Sequence, residues 1–385
     1  MDKIKVVQIN QSFEVGGVET MMAQLCSYID FQRFDVIACS LSTDMEMANN
    51  LPPEVKVVTM GYKTRQLRGI SLFFKGISLL LKLGKWLRCE QPHVVHVHAY
   101  FSMYLLIALA VHFYSKQTKV VKTIHTSGLF YTSRRYVDRF RLWVEQKATA
   151  LNTTYVVGIS EQVYQIALCH FSRTAVGVRM IYNGVDLSLF SQNHNDNLRR
   201  KLLDNKKLLV VYVARMVDGK NHFLLLDIWN RLKVQKVNTA KLVLVGDGDN
   251  IEKVKAMIKE KNLSNEVLCL GRSSEVAHIL SVCDFALFPS DYEGFSLSLI
   301  EKMASYLPVL ASELPSFKEV ITSSKEGYIV PLSDLKDWEE KIKLLINDEK
   351  LRKQLGLAAR KRSLDFSVES MVGEYEKLYR YACKH

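Results

Sequence analysis

The sequence predicts two doubly wound α/β domains in one chain, and three observations carry that prediction. At 385 residues the chain exceeds the size at which a single hydrophobic core stops growing. Short apolar, strand-like runs alternate with longer amphipathic segments, the pattern of βαβ units and parallel sheets. The series occurs twice, and a turn cluster, Ile181-Tyr-Asn-Gly-Val-Asp186, separates the two halves, with polar residues following from Gln192 to Asn205.

Strands are expected near residues 4–9, 34–41, 56–60, 93–98, 119–124 and 154–158 in the first half. In the second half they are expected near 208–214, 241–245, 266–270, 285–288, 308–311 and 328–330. Two such domains place the carboxyl ends of both sheets across a cleft, where open α/β sheets bind ligands. The last segment, Ser367 to His385, reads as a further helix, with Leu364, Met371, Tyr375, Leu378 and Tyr379 as its apolar stripe.

Composition narrows the function. Hydrophobic residues make up 48% of the chain, as a folded globular protein requires. The seven cysteines are scattered without a C-x-x-C pair, which speaks against a zinc site or a disulfide framework and for a reducing compartment. Met1-Asp-Lys-Ile-Lys runs directly into the strand Val6-Val-Gln-Ile9, so no leader peptide is expected. The uncharged run from Val94 to Tyr114 holds three histidines and reads as strand, loop and buried helix rather than a membrane span.

The net charge of +12 is concentrated. Between Lys56 and Lys147 lie 16 Lys or Arg against Glu90, Asp138 and Glu145, a local excess of +13. A patch of this kind points to an acidic partner, with an anionic membrane or phosphorylated lipid first. No recognition-helix, zinc-finger or RNA-binding signature accompanies it, so nucleic acid is not expected. Ile70 to Arg88 is an apolar helix carrying Lys75, Ser78, Lys82 and Lys85 on one stripe; it reads as an outer helix packed on the sheet, with a membrane-interface helix as the alternative.

Several strand-to-helix turns carry the residue types that a sugar-phosphate ligand needs. In Ser290-Asp-Tyr-Glu-Gly-Phe-Ser-Leu-Ser-Leu-Ile-Glu301, a strand is followed by a tight turn and a helix start, with Glu293 and Glu301 eight positions apart. The backbone at Gly294, Phe295, Ser296 and Leu297 offers free N–H groups to phosphate, and the glutamates offer acceptors for sugar hydroxyls. Gly16-Gly17 follows the first strand and lets the backbone approach a ligand closely. Arg215 and Lys220, five positions apart after another strand, are suited to gripping a diphosphate. Lys220 reads as a solvated loop cation whose replacement by alanine leaves the fold intact. His125 ends a strand in Lys122-Thr-Ile-His-Thr126. His98 lies near another strand's end, and His96 reads as packed. Asp247-Gly-Asp249 has the form of a metal-binding D-x-D but reads as a turn after Leu242-Val-Leu-Val245, so no metal is expected.

Taken in order, Gly16-Gly-Val-Glu19, Thr123-Ile-His125, Asn183-Gly-Val-Asp186, Arg215 with Lys220, and Glu293 with Glu301 resemble the signature of retaining GT-B glycosyltransferases of family 4, the "glycosyl transferases group 1" type. The resemblance spans essentially the whole chain. It implies an acceptor-binding Rossmann-like domain over 1–184, a nucleotide-sugar-binding one over 185–366 and a helix over 367–385 crossing back to the first. It implies transfer of a sugar from a nucleotide-sugar co-substrate, expected to be UDP-linked, to a glycan or lipid-linked glycan, without metal or other cofactor. Glu293 and His125 would act on the transferred sugar. Gly16, Gly17, Arg215, Lys220, Gly271, Gly294 to Leu297 and Glu301 would hold the donor, and His98 would lie toward the acceptor. The place of work would be the inner face of the cytoplasmic membrane. A nucleotide-sugar 2-epimerase on the same scaffold, and a non-catalytic sugar-nucleotide binder, are the alternatives.

Overall fold

The computed structural model describes residues 3–14, 16–63, 70–99, 101–126, 131, 133–190, 195–237, 239–293 and 295–385, excepting the side chains of 70–74 and 102. The chain forms two compact units, Met1–Gly184 with Val368–His385, and Val185–Ser367.

The first unit runs β1 (Ile4–Asn10), α1 (Gly17–Tyr28), β2 (Phe34–Ser42), β3 (Lys56–Tyr62), α2 (Ile70–Glu90), β4 (Val94–Val97), α3 (Phe101–Tyr114), β5 (Lys119–Ile124), α4 (Tyr136–Ala150), β6 (Thr154–Gly158), α5 (Glu161–Phe171) and β7 (Gly177–Met180). Its seven-stranded parallel sheet has the order β3-β2-β1-β4-β5-β6-β7. Strands such as Val94-Val-His-Val97 are buried throughout, as expected where helices cover both faces of a parallel sheet. β7 was not expected. Its four residues are half exposed at the sheet edge, so they lack the apolar run that marks a central strand.

Two cores flank this sheet. On one side α2 and α3 bury Leu79, Leu83, Leu87, Tyr104 and Ile107 against β1, β2 and β4. Each side chain of that size contributes roughly 1.5–3 kcal/mol on leaving water. Thus α2 packs on the sheet. Its expected basic stripe is partly tied down, since Lys82 donates to the Met60 carbonyl at 2.7 Å and Ser78 pairs with the Tyr62 hydroxyl at 2.9 Å. Phe73 and Phe74 lie outside the described side chains. On the other side α1 packs with α14 (Val368–Lys384), which returns to this unit and buries Met371, Tyr375, Leu378 and Tyr379. Leu364, expected on that stripe, instead sits exposed in a 3₁₀ turn before the helix.

The second unit runs α6 (Asp196–Leu203), β8 (Leu208–Val213), α7 (His222–Val234), β9 (Ala240–Val245), α8 (Ile251–Glu260), β10 (Val267–Gly271), α9 (Val276–Ser281), β11 (Phe285–Phe288), α10 (Leu297–Ala304), β12 (Val309–Ser312), α11 (Pro315–Val320), β13 (Gly327–Val330), α12 (Leu335–Asn347) and α13 (Glu349–Ser363). The six strands are parallel, in the order β10-β9-β8-β11-β12-β13.

In each unit the strand order reverses at one place, between β1 and β4 and between β8 and β11. Connections leave those two strands toward opposite faces and open a crevice at their carboxyl ends. Gly16 and Gly17 follow β1, and His98 follows β4. Arg215 and Lys220 follow β8, and Glu293 follows β11. Among the described residues no helix is long and apolar enough to cross a membrane.

Candidate active site

In the second unit, the loops after β8 and β11 are sewn together. The Asp291 N–H donates to the Gly219 carbonyl at 2.9 Å, and Asn221 Nδ2 donates to the Pro289 carbonyl at 2.8 Å and to Asp291 Oδ1 at 2.9 Å. The Tyr212 hydroxyl reaches back from β8 to the Lys220 carbonyl at 2.7 Å. These bonds fix Lys220 so that its Nζ donates to Glu293 Oε1. Ser290 Oγ also donates to that carboxylate oxygen, at 3.3 Å.

Lys220 is therefore not the solvated loop cation that its sequence context suggested. It is 9% exposed, because the β11 loop closes over it and Tyr292 lies beside it with its ring centre 5.6 Å from Nζ. Arg215, on the same loop, is exposed.

α10 starts at the same place. Ser296 caps it, accepting from the Leu299 N–H at 3.3 Å. Ser296 and Phe295 are buried, Phe295 against the Phe366 ring at 5.7 Å, so they present backbone rather than side chains to a ligand. Gly294 lies outside the described residues. Glu301 is half-buried, and burial raises its carboxyl above the usual carboxylate range.

Lys302 was missed. It is fully buried; its Nζ donates to the Ser298 carbonyl at 3.0 Å and Oγ at 2.6 Å, and lies 4.4 Å from the Phe288 ring centre. Burial pushes its pKa down to about 8, against the opposing pull of Glu301 and Glu293. A lysine among Leu299, Ile300, Met303 and Ala304, all buried on an eight-residue helix, was the available signal.

The floor of the site needs glycine. Gly246 follows β9 at φ +143°, where an added Cβ would lie 1.9 Å from the Ala214 carbonyl oxygen. Gly246 N–H donates to the carbonyl of Gly271, at the end of β10, at 2.8 Å. The Asp247 carboxylate is used within its own turn, accepting from Gly248 N–H at 2.8 Å. Among the described residues no three His, Cys, Asp or Glu side chains converge as metal ligands would.

In the first unit, a buried polar chain links strand ends to α14. His96 has Nδ1 on the Tyr379 hydroxyl at 2.7 Å and Nε2 on Thr123 Oγ1 at 2.7 Å, so it is a packed structural residue. Gln8 Nε2 donates to Tyr379 at 2.9 Å, which leaves Gln8 Oε1 to accept from His98 Nε2 at 2.8 Å. His98 Nδ1 must then accept, and His125 Nε2 is the donor at 3.2 Å. His98 is 1% exposed and stands behind His125, which is half-buried. Burial holds both neutral and pushes His125 down to about 3. At the β1 turn, Gly16 is the extended N-cap of α1, and the Glu19 carboxylate, which accepts from Asn10 at 2.9 Å, fills the space where a Gly16 side chain would go. The position of a Gly17 side chain is open.

Comparison with known proteins agrees with this layout. A family profile described as "Glycosyltransferase Family 4" matches residues 15–189, and one described as "Glycosyl transferases group 1" matches residues 194–362. The chain is a GT-B glycosyltransferase of family 4. This glycosyltransferase is 28% identical over 91% of its length, and 92% of the relative's, to an N-acetylgalactosamine-N,N'-diacetylbacillosaminyl-diphospho-undecaprenol 4-alpha-N-acetylgalactosaminyltransferase of Campylobacter jejuni. It is 24% identical over 98% of its length, and 97% of the relative's, to a UDP-Gal:alpha-D-GlcNAc-diphosphoundecaprenol alpha-1,3-galactosyltransferase of Escherichia coli. Among solved structures, Anabaena HepE in complex with UDP superposes with a TM-score of 0.80 at 18% identity, covering 98% of this chain and all of that one, a likeness of fold. Glycosyltransferases acting in polysaccharide and lipid-linked glycan synthesis are thus its relatives.

Proposed function

We propose that this glycosyltransferase moves a sugar from a UDP-sugar to a hydroxyl of a lipid-linked glycan, with retention of configuration and without a metal ion, at the inner face of the cytoplasmic membrane. The observation that carries the donor half is the Lys220–Glu293 pair, held by two cross-bonded loops at the start of α10. A lysine at the start of α10 and an exposed arginine on the same β8 loop supply cations of the kind that a leaving diphosphate needs, and the helix N-terminus adds its dipole. Each charge-assisted contact is worth about 1.5–3 kcal/mol, so Lys220, Arg215 and the amides together replace the charge a metal would bring.

In this reading an arriving donor exchanges the internal partner of Lys220 for phosphate oxygen and frees Glu293 for sugar hydroxyls. Glu301 would hold the ribose. His125, with Nε2–H spent on His98, offers Nδ1 as an acceptor to a sugar hydroxyl. It is too weak a base to take a proton near neutrality, so the acceptor proton passes to the leaving phosphate oxygen. The two relatives' names support a lipid-diphosphate acceptor and an alpha linkage, and one names UDP-Gal as donor.

The test is thermal protection of the purified chain by a panel of nucleotide-sugars, followed by diphosphate release with membrane extract. Protection by one UDP-sugar and extract-dependent release is expected. Formation of a second sugar isomer without acceptor would instead assign an epimerase.

A further inference from the structure

Among the described residues, α4 carries an apolar face that stands exposed. Tyr136 is 88% exposed, Phe140 62%, Val137 61% and Trp143 53%. At about 100° per residue these four lie within roughly 60° of Phe140 on one side of the helix. Phe140 and Trp143 stack at 5.9 Å between ring centroids, and Lys147 Nζ lies 5.9 Å from the Trp143 ring centre. Exposed rings of this size, adjacent on one helix, are unusual on a monomer surface and mark an interaction site.

The charges are sorted around that face. Arg139 and Arg141 flank it on either side and Lys147 lies within it. The helix's acids point away: Asp138 pairs with Arg141 at 3.2 Å, and Glu145 is buried in an ion pair with Lys122 of β5. That buried pair, with Lys122 Nζ also 4.2 Å from the Tyr104 ring centre, fixes which side of α4 faces the sheet. Ala148 and Thr149 complete the inward side, so the aromatic side is held outward. α4 follows β5, the strand after which His125 lies.

We propose that this face of α4 docks on an anionic lipid bilayer. Rings that are apolar in body and polar at the edge suit the headgroup boundary, and the flanking cations suit phosphate groups. A protein partner would require acidic chemistry opposite Arg139 and Lys147 together with an apolar centre; a bilayer supplies both over any area. The inference rests on the proposed lipid-linked acceptor and names the surface that meets the membrane, α4 rather than α2.

The test is cosedimentation of the full chain with phosphatidylcholine vesicles, with and without phosphatidylglycerol. Wild type binds only the anionic vesicles, and binding falls with salt. Y136S/F140S/W143S weakens binding by at least about tenfold. R139Q and K147Q each weaken it by roughly fivefold at low salt. I77S/L81S, on the exposed side of α2, binds as wild type does. As a readout that needs no lost fold, brominated lipid quenches tryptophan emission in W86F and not in W86F/W143F, since Trp86 of α2 is half-buried and the two tryptophans left, Trp229 and Trp338, are buried. Unchanged binding by the triple variant, transfer of the loss to the α2 variant, equal binding to neutral vesicles, or self-association abolished by the triple variant in the absence of vesicle binding would each overturn the proposal. Transfer to a detergent-solubilised lipid extract should survive in the triple variant. Absence of that transfer in wild type would sink the acceptor reading, and vesicle binding would still be judged by itself.

Discussion

Replacing Lys220 by methionine removes the clamp's charge and keeps most of its packing. Among the described residues, the variant leaves the Glu293 carboxylate with the Ser290 hydroxyl at 3.3 Å as a partner in place of an ammonium. Leaving a largely buried carboxylate unpaired costs about 1–3 kcal/mol. For a domain of this size that lowers the melting temperature by roughly 2–12 °C. E293Q should recover much of that loss in the double variant, because the amide does not carry a buried charge. Activity should behave differently. Loss of one preorganised cation at a developing diphosphate costs about 10²–10³ in kcat, and E293Q does not restore it. Melting curves and diphosphate release over the four-variant cycle separate the two roles. Turnover in K220M equal to wild type would remove Lys220 from the mechanism, and an unchanged melting temperature would contradict the burial argument.

Three further outcomes are expected. The folded-state pKa of Lys302 lies below its ordinary 10.5, at about 8, so its neutral amine contributes stability that is present above 10.5 and lost as pH falls through 8. Relative to K302M, wild type should therefore gain roughly 3 kcal/mol in chemical denaturation between those limits, and a constant difference would refute it. G246A should cost about 3 kcal/mol or more and raise the donor KM, since the clash with Ala214 displaces the loop that carries Arg215 and Lys220; a variant melting as wild type does would contradict the geometry. Saturating EDTA should leave transfer intact, whereas loss restored by manganese or magnesium would return Asp247 and Asp249 to consideration.

The strands were legible because parallel sheets bury whole apolar runs; Leu242-Val-Leu-Val245 and Phe285-Ala-Leu-Phe288 announce themselves. β7 was not, because an edge strand of four residues buries only Val178. Residue types at strand ends revealed Arg215, Lys220, Glu293 and His125. Their surroundings were hidden, since burial of Lys220 depends on a loop 73 positions away and the tautomer of His125 depends on Gln8 and Tyr379. Lys302 was passed over because charged residues on helices are mostly solvated. The α4 face dissolved into the wider basic window, because Arg139 and Arg141 interrupt the aromatics in sequence and separate from them only on the helix.

The central claim, retaining transfer from a nucleotide-sugar to a lipid-linked acceptor, is tested most directly by the product itself. Purified chain, the protecting UDP-sugar and lipid extract should release one UDP for each sugar that enters the lipid phase, and the anomeric coupling constant of the new linkage should match that of the donor. Inverted configuration, or UDP release without sugar in the lipid phase, would contradict the account.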